Sequence, residues 1–179
     1  TLMDVTNRFN WLDVAPEVAA KQLLGCELVR TVGTTEMRVR IVETEAYDQT
    51  DQASHTFRGQ TKRNANMFES AGHVYVYFTY GMHHCMNVVC GPEGAGEAVL
   101  IRAVEPITGI DFMEARRVAT GLNLTNGPGK LCQALDIDLG LNGHYLAYKP
   151  LQLVKKPVLS DREITTGTRI GIRRDVHEL

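Results

Sequence analysis

The sequence predicts an α+β domain built around a curved, mainly antiparallel sheet. Three observations point there. Short runs rich in Val, Ile, Thr and Tyr (26–31, 36–47, 73–80, 84–90 and 97–105) read as strands, several with the two-residue alternation of half-buried ones. Gly33-Thr34 and Gly81-Met82 sit between neighbouring runs, so those runs read as hairpins. Helical patterns are few and show no regular strand–helix alternation, which argues against a parallel α/β sheet.

The elements follow in order. Asp13 reads as an N-cap, with Pro16 and Glu17 in the first turn and Gly25 past the end, giving a short helix over 14–24. Strands at 26–31 and 36–47 form the first hairpin. Residues 48–72 are polar and weakly periodic. They read as a long loop with a helical turn near Asn64–Phe68, and loops of this length usually carry function. Strands at 73–80 and 84–90 flank Gly81-Met82, and a turn at 91–96 leads to the strand at 97–105. Helices are expected at 110–119 and 129–136, and late strands at 145–154 and 168–173.

A chain of 179 residues suits a single domain, 1–179, able to bury a core without disulfides or metals. Hydrophobic residues make up 44% and charged residues 22%, as in ordinary globular proteins. No apolar run approaches the ~18–20 residues of a membrane span, and no basic-then-apolar leader precedes the fold. Cys26, Cys85, Cys90 and Cys132 are scattered without a C-x-x-C pair, which suits free thiols in a reducing compartment. The net charge of -2 does not announce a nucleic-acid binder. Local charge says more: Arg58, Lys62 and Arg63 cluster without an acid, and residues 149–174 are strongly basic. Either a phosphate-binding face or a solvated surface fits these stretches.

The chemistry concentrates in Glu43-Thr44-Glu45-Ala46-Tyr47, His55 and Tyr75-Val76-Tyr77-Phe78-Thr79-Tyr80-Gly81-Met82. In a regular strand, Glu43, Glu45 and Tyr47 share one face. A carboxylate there can orient and deprotonate water. The alternative is that one Glu pairs with an arginine and the other is solvated. Tyr75, Tyr77 and Tyr80 can be plain strand aromatics, but Tyr80-Gly81-Met82 puts a large ring and an apolar side chain at a turn where polar residues are normal. Such a tip suits insertion into a base stack. His83 and His84 point to opposite faces of a strand, so no metal site is expected. Cys85 and Cys90 read as small buried hydrophobes. Gly127-Pro128-Gly129-Lys130 either receives a phosphate at a helix N-terminus or is a plain loop entering a helix.

Glu43-Thr44-Glu45-Ala46-Tyr47, Ala53-Ser54-His55, Arg63-Asn64, Met67-Phe68, Tyr75-Val76-Tyr77, Tyr80-Gly81-Met82, Cys85-Met86-Asn87, Leu100-Ile101-Arg102-Ala103 and Gly127-Pro128-Gly129-Lys130-Leu131-Cys132-Gln133-Ala134-Leu135 together resemble the alkyladenine (3-methyladenine) DNA glycosylase family. The resemblance runs from Leu23 to Ile172. It implies a monofunctional glycosylase that flips a damaged purine out of duplex DNA, hydrolyses its N-glycosidic bond and leaves an abasic site, without lyase activity.

By that resemblance Glu45 activates the water and Arg102 sits near the water and the target nucleotide's backbone. Tyr47 and His55 stack on one face of the base and Tyr77 on the other. The backbone N–H at His55 selects lesions, and Asn87 disfavours guanine. Tyr80 and Met82 form a DNA-inserting hairpin tip, and Arg63 and Lys130 meet the DNA backbone. The implied partner is double-stranded DNA with damaged purines, bound by a monomer; no metal, organic cofactor or membrane is implied. The expected compartment is the cytoplasm, or the nucleus in a eukaryote. Asp48-Gln49-Thr50 replaces the Leu-Gly-Pro common in relatives, and Thr61-Lys62-Arg63-Asn64 replaces Thr-Pro-Arg-Asn. The chain stops at Leu179, where relatives usually continue into an aromatic-rich segment. These departures motivate a second reading, a non-catalytic damage-binding protein of the same fold. A metal hydrolase built on Glu45, His55, His83 and His84 is the third.

Overall fold

The computed structural model describes residues 8–47, 64–79, 81–167 and 169–172. Among them, eight strands form one sheet: β1 (Glu27–Val32), β2 (Thr35–Tyr47), β3 (Val74–Phe78), β4 (His84–Cys90), β5 (Glu97–Thr108), β6 (Leu151–Val154), β7 (Ile164–Thr165) and β8 (Ile170–Ile172). The main order is β3-β4-β5-β2-β1-β6, and β8 joins β2 and β7 off that path. Every pairing is antiparallel. The long strands β2 and β5 pair along nearly their whole lengths, and the sheet curls around them. One edge of β2 is shared: β1 covers residues 35–40 and β8 covers Glu43 and Thr44. Three helices, α1 (Pro16–Leu23), α2 (Ile110–Arg117) and α3 (Pro128–Ala134), complete the α+β domain.

One face of the sheet holds the main core. Val74, Val76, Met86, Val88, Val99, Ile101 and Ile41 point into it, and Ala19, Ala20 and Leu23 of α1 and Leu131 and Cys132 of α3 meet them. Each large side chain buried there stabilises the fold by ~1.5–3 kcal/mol.

The predicted strands and helices are present with boundaries moved by a few residues. The N-cap differs: α1 begins at Pro16 behind Ala15 with no side-chain cap, and Asp13 instead ends a 3₁₀ turn at Asn10–Leu12. Pro16 has no N–H to satisfy, so this helix start depends less on a capping oxygen. The strand expected at 145–154 is confined to Leu151–Val154. Pro150 cannot donate to a ladder, so pairing starts after it. Tyr145 makes only an isolated bridge to His73. Ser160 and Glu163 form a capping box before β7, a signal present in the sequence but passed over.

Candidate active site on the second face of the sheet

Cross-strand partners project to the same side of a sheet. Tyr75 pairs with Asn87, Asn87 with Leu100, and Leu100 with Glu45, so one lateral row crosses β3, β4, β5 and β2. On one side of it lies Tyr77 opposite Cys85. On the other lie Val89, Ala98 and Tyr47. All of these face away from the main core. Met67, Phe68, Tyr75, Val89 and Ala98 form a second, smaller apolar cluster, and Tyr77 packs against it. Phe68 reaches this floor because Gly96, at φ +70°, has no Cβ; one would come within 2.7 Å of the Phe68 ring.

The carboxylates reach this face through a pair of bulges. Met37, Val39 and Ile41 point into the core, so unbroken alternation would send Glu43 and Glu45 there too. Instead Ile41 pairs with Val104 and Glu43 with Ala103, leaving Val42 as an extra residue; Thr44 then pairs with Ile101, leaving Arg102 as the extra residue on β5. Such bulges re-aim side chains. Thr44 turns into the core, where its hydroxyl donates to the Ala20 carbonyl of α1 at 3.1 Å. Glu43, Glu45 and Tyr47 turn outward beside Arg102.

These groups form a connected charge network. Arg102 Nη1 donates to Glu45 Oε2 at 2.7 Å, and the Tyr47 hydroxyl donates to Glu45 Oε1 at 2.8 Å. Arg102 Nε lies 3.5 Å from Glu43 Oε1, and Arg169 Nη1 lies 3.8 Å from the same oxygen. The guanidinium and the Glu45 carboxylate are both more than four-fifths buried, at 18% and 19% side-chain exposure. That burial strengthens their interaction relative to a surface pair.

The aromatic wall is neutral. Burial above all, then the neighbouring Cys85 thiol, and then Tyr47 and Tyr75, push the Tyr77 phenol well above its ordinary range. Burial likewise raises the Cys85 thiol, partly offset by Tyr77 and Arg102. The Tyr75 and Tyr77 ring centroids lie 5.7 Å apart at 34°. Asn87 is buried and its Nδ2 donates to the Tyr75 carbonyl at 3.2 Å, which fixes the amide at the floor.

Beyond Tyr77, the turn joining β3 to β4 closes with bonds from Thr79 N to His83 O and from Met82 N to Thr79 O. Met82 holds a left-handed conformation at φ +61° and is 80% exposed. His83 rests on the start of α3, where a Cβ on Gly129 would lie 2.7 Å from the His83 Cβ. The contact therefore requires glycine and ties the turn to α3. Lys130 donates to Asn126 Oδ1 at 2.9 Å.

The structure thus gathers Glu45, Arg102, Tyr47, Tyr77 and Asn87 on one surface and sets Met82 and Lys130 at its margin. His55, Arg63 and Tyr80 lie outside the described residues, as do Asp48 and Asp51. Four features escaped the sequence reading: the paired bulges, the Arg169–Glu43 contact, the Tyr77–Cys85 cross-strand pairing and the place of Leu100 in the lateral row. On β2 the core-facing positions move from 37, 39 and 41 to 44 and 46, while on β5 the near-continuous apolar run 98–104 hides the matching shift. Among the described residues no group of three His, Cys, Asp or Glu side chains converges as a metal site requires. An open groove of about 710 Å³ runs past Glu43 between β5, the Gly121–Leu124 turn and β8. Its lining does not include Glu45, Tyr47 or Tyr77.

Comparison with known proteins identifies the family. The family profile described as methylpurine-DNA glycosylase matches residues 10–179. A Methanoculleus marisnigri protein named "Putative 3-methyladenine DNA glycosylase" is 53% identical over 159 residues, covering 87% of this chain and 82% of the relative. Proteins of the same name from Carboxydothermus hydrogenoformans and Streptomyces avermitilis are 52% and 44% identical over 157 and 170 residues, covering 87% and 92% of this chain and 82% and 78% of the relatives. With a profile spanning nearly the whole sequence and relatives this similar, the chain belongs to the methylpurine-DNA glycosylase family of DNA-repair enzymes.

Proposed function

We propose that this protein flips an alkylated or deaminated purine out of duplex DNA onto the outer face of β2–β5–β4–β3 and hydrolyses its N-glycosidic bond with a water activated by Glu45. The observation that carries the reading is the placement of the Glu45 carboxylate, held by Arg102 and Tyr47, on the same face as Tyr77 and the buried Asn87.

The chemistry asks little of the leaving group. A purine alkylated at N3 or N7 is cationic and leaves as a neutral base, taking the electrons of the C1′–N bond. The water oxygen bonds to C1′, its proton passes to Glu45, and the sugar is left as an abasic site. The same carboxylate faces the positive charge that develops on the sugar. Tyr77 and Tyr47 offer electron-rich faces to a cationic base, and aromatic stacking tolerates several bases. Tyr77 remains a neutral phenol because burial holds its proton on. Asn87, whose amide is held by the Tyr75 carbonyl, is the residue assigned to disfavour guanine through its 2-amino group. Met82 and its neighbour Tyr80 would enter the gap left in the stack, and Arg63 and Lys130 would meet phosphates.

Water, not an amine, is the nucleophile, so no strand cleavage by β-elimination is expected. One duplex and one flipped base need only a monomer. The test is incubation with duplexes each carrying one of 3-methyladenine, 7-methylguanine, hypoxanthine or ethenoadenine, followed by alkaline cleavage at abasic sites. Alkali-dependent cleavage at one or more lesions supports the proposal; its absence on all four, or cleavage without alkali, overturns it.

A further inference from the structure

Glu45 rests with both oxygens engaged, Oε2 by Arg102 at 2.7 Å and Oε1 by Tyr47 at 2.8 Å. Arg102 carries a second feature. Its Nε is buried and has no hydrogen-bond acceptor among the described residues, while Glu43 Oε1 stands 3.5 Å away. A buried donor without an acceptor is a costly state that a small movement can relieve. Glu43 is in turn faced by Arg169 on the approach to β8, at 3.8 Å from the same oxygen. The four side chains alternate in charge from Arg169 through Glu43 and Arg102 to Glu45.

We propose that Glu43 is a positioning residue that takes over the Arg102 guanidinium while Glu45 acts as base, with Arg169 holding Glu43 in place. The inference rests on the hydrolytic reading above and deepens it. When water gives its proton to Glu45, that side chain becomes neutral and Arg102 loses the nearer of its two counter-ions. A buried cation left unpaired is strongly unfavourable. Glu43 supplies a second carboxylate within reach, so the guanidinium stays compensated on both sides of the proton transfer. Arg102 Nε closes on Glu43 as Nη1 leaves Glu45 Oε2, which frees that oxygen for water. The arrangement needs both acids of Glu43-Thr44-Glu45 and gives them different tasks: one accepts the proton, the other keeps the charge balanced.

The test compares wild type, Glu43→Gln and Glu43→Asp in two assays. The first is single-turnover release of methylpurines from duplex DNA treated with dimethyl sulfate, beside the affinity for a duplex with a tetrahydrofuran abasic analogue. Glu43→Gln is expected to slow release by roughly 10- to 100-fold, the size of a small misplacement at a reacting centre, with duplex affinity and melting temperature unchanged. Glu43→Asp keeps the charge and should recover part of the rate. The second assay follows the ¹H–¹⁵N signal of Arg102 Nε, identified by its loss in Arg102→Lys. It should move when the tetrahydrofuran duplex binds wild type and stay in place in Glu43→Gln. A wild-type release rate in Glu43→Gln, or an Arg102 Nε signal that does not respond in wild type, overturns the inference. If wild type releases no methylpurine, the hydrolytic reading fails, and the Nε signal still decides the exchange of partners.

Discussion

The two faces of the β2–β5–β4–β3 sheet are made by the same strands and differ in nearly every physical respect. The core face is almost wholly apolar and covered by α1 and α3, with Thr44 as a polar exception satisfied by the Ala20 carbonyl. The other face mixes Tyr75, Tyr77, Cys85, Asn87, Glu43, Glu45, Tyr47 and Arg102 above a small apolar floor. One residue along a strand separates a side chain that holds the fold from one proposed to act on DNA. Stability and chemistry are therefore separable by parity, and mutations on the two faces should fail in different assays.

Glu45→Gln tests the outer face most severely. General-base catalysis contributes ~10²–10⁴ in rate, so base release should fall by about 10³ while damaged-duplex affinity persists. Thermal unfolding should show no comparable loss. Base release at the wild-type rate would remove Glu45 from its role. On the core face, Ile101→Ala should cost about 3 kcal/mol through lost burial and a residual cavity, read as a lower urea midpoint. Release per folded molecule should stay near wild type, and a rate loss without a stability loss would break the division between faces.

Tyr77→Ala returns to the outer face with a smaller effect. Removing one stacking wall should weaken binding of a lesion duplex by ~1–3 kcal/mol, measured by fluorescence anisotropy; unchanged affinity would show that Tyr77 is ordinary packing. The smallest change lies away from both faces. Arg38 donates to Glu27 at 2.6 Å, and that bond first, with Lys156 nearby, holds the Glu27 carboxyl below its usual range against a modest opposing effect of burial. A depressed carboxylate stabilises the fold fully above its unfolded value and loses that contribution as pH falls through the lowered folded value. Glu27→Gln should therefore cost about 1 kcal/mol at neutral pH, roughly 2–4 °C in melting temperature. The gap between wild type and variant should close on acidification below the usual glutamate range, with base release at neutral pH unaffected. A gap that persists at low pH would assign the loss to packing.

Much of this was legible in the sequence. Val, Ile and Tyr runs with two-residue spacing marked the strands, and Pro16 and Gly25 marked the ends of α1 to within a few residues. Glu45, Tyr47, Tyr77, Asn87 and Arg102, the candidate site residues that share one face, sit in motifs that carry the family resemblance. What was not legible depends on non-local pairing. Nothing within 36–47 alone says that Val42 has no partner on β5, because that fact belongs equally to residues 101–104. The same holds for Arg169, whose ion pair with Glu43 exists only once β8 has joined β2. Asp13 shows the opposite failure: a good local capping signal displaced by a proline three residues on.

The two bulges also say something about how such a surface arises. Removing Val42 and Arg102 together would leave Met37, Val39, Ile41 and Thr44 alternating into the core, as would Val99, Ile101 and Val104, with the shift between Arg38 and Val39 as the remaining irregularity. The ladder accommodates both as additions, and one of them supplies the only arginine in direct contact with Glu45 among the described residues. A shortened protein lacking both positions would keep the core alternation and lose that arginine. A matched pair of extra residues in neighbouring strands can thus add a charged group to one face of a sheet without disturbing the alternation that fills its core.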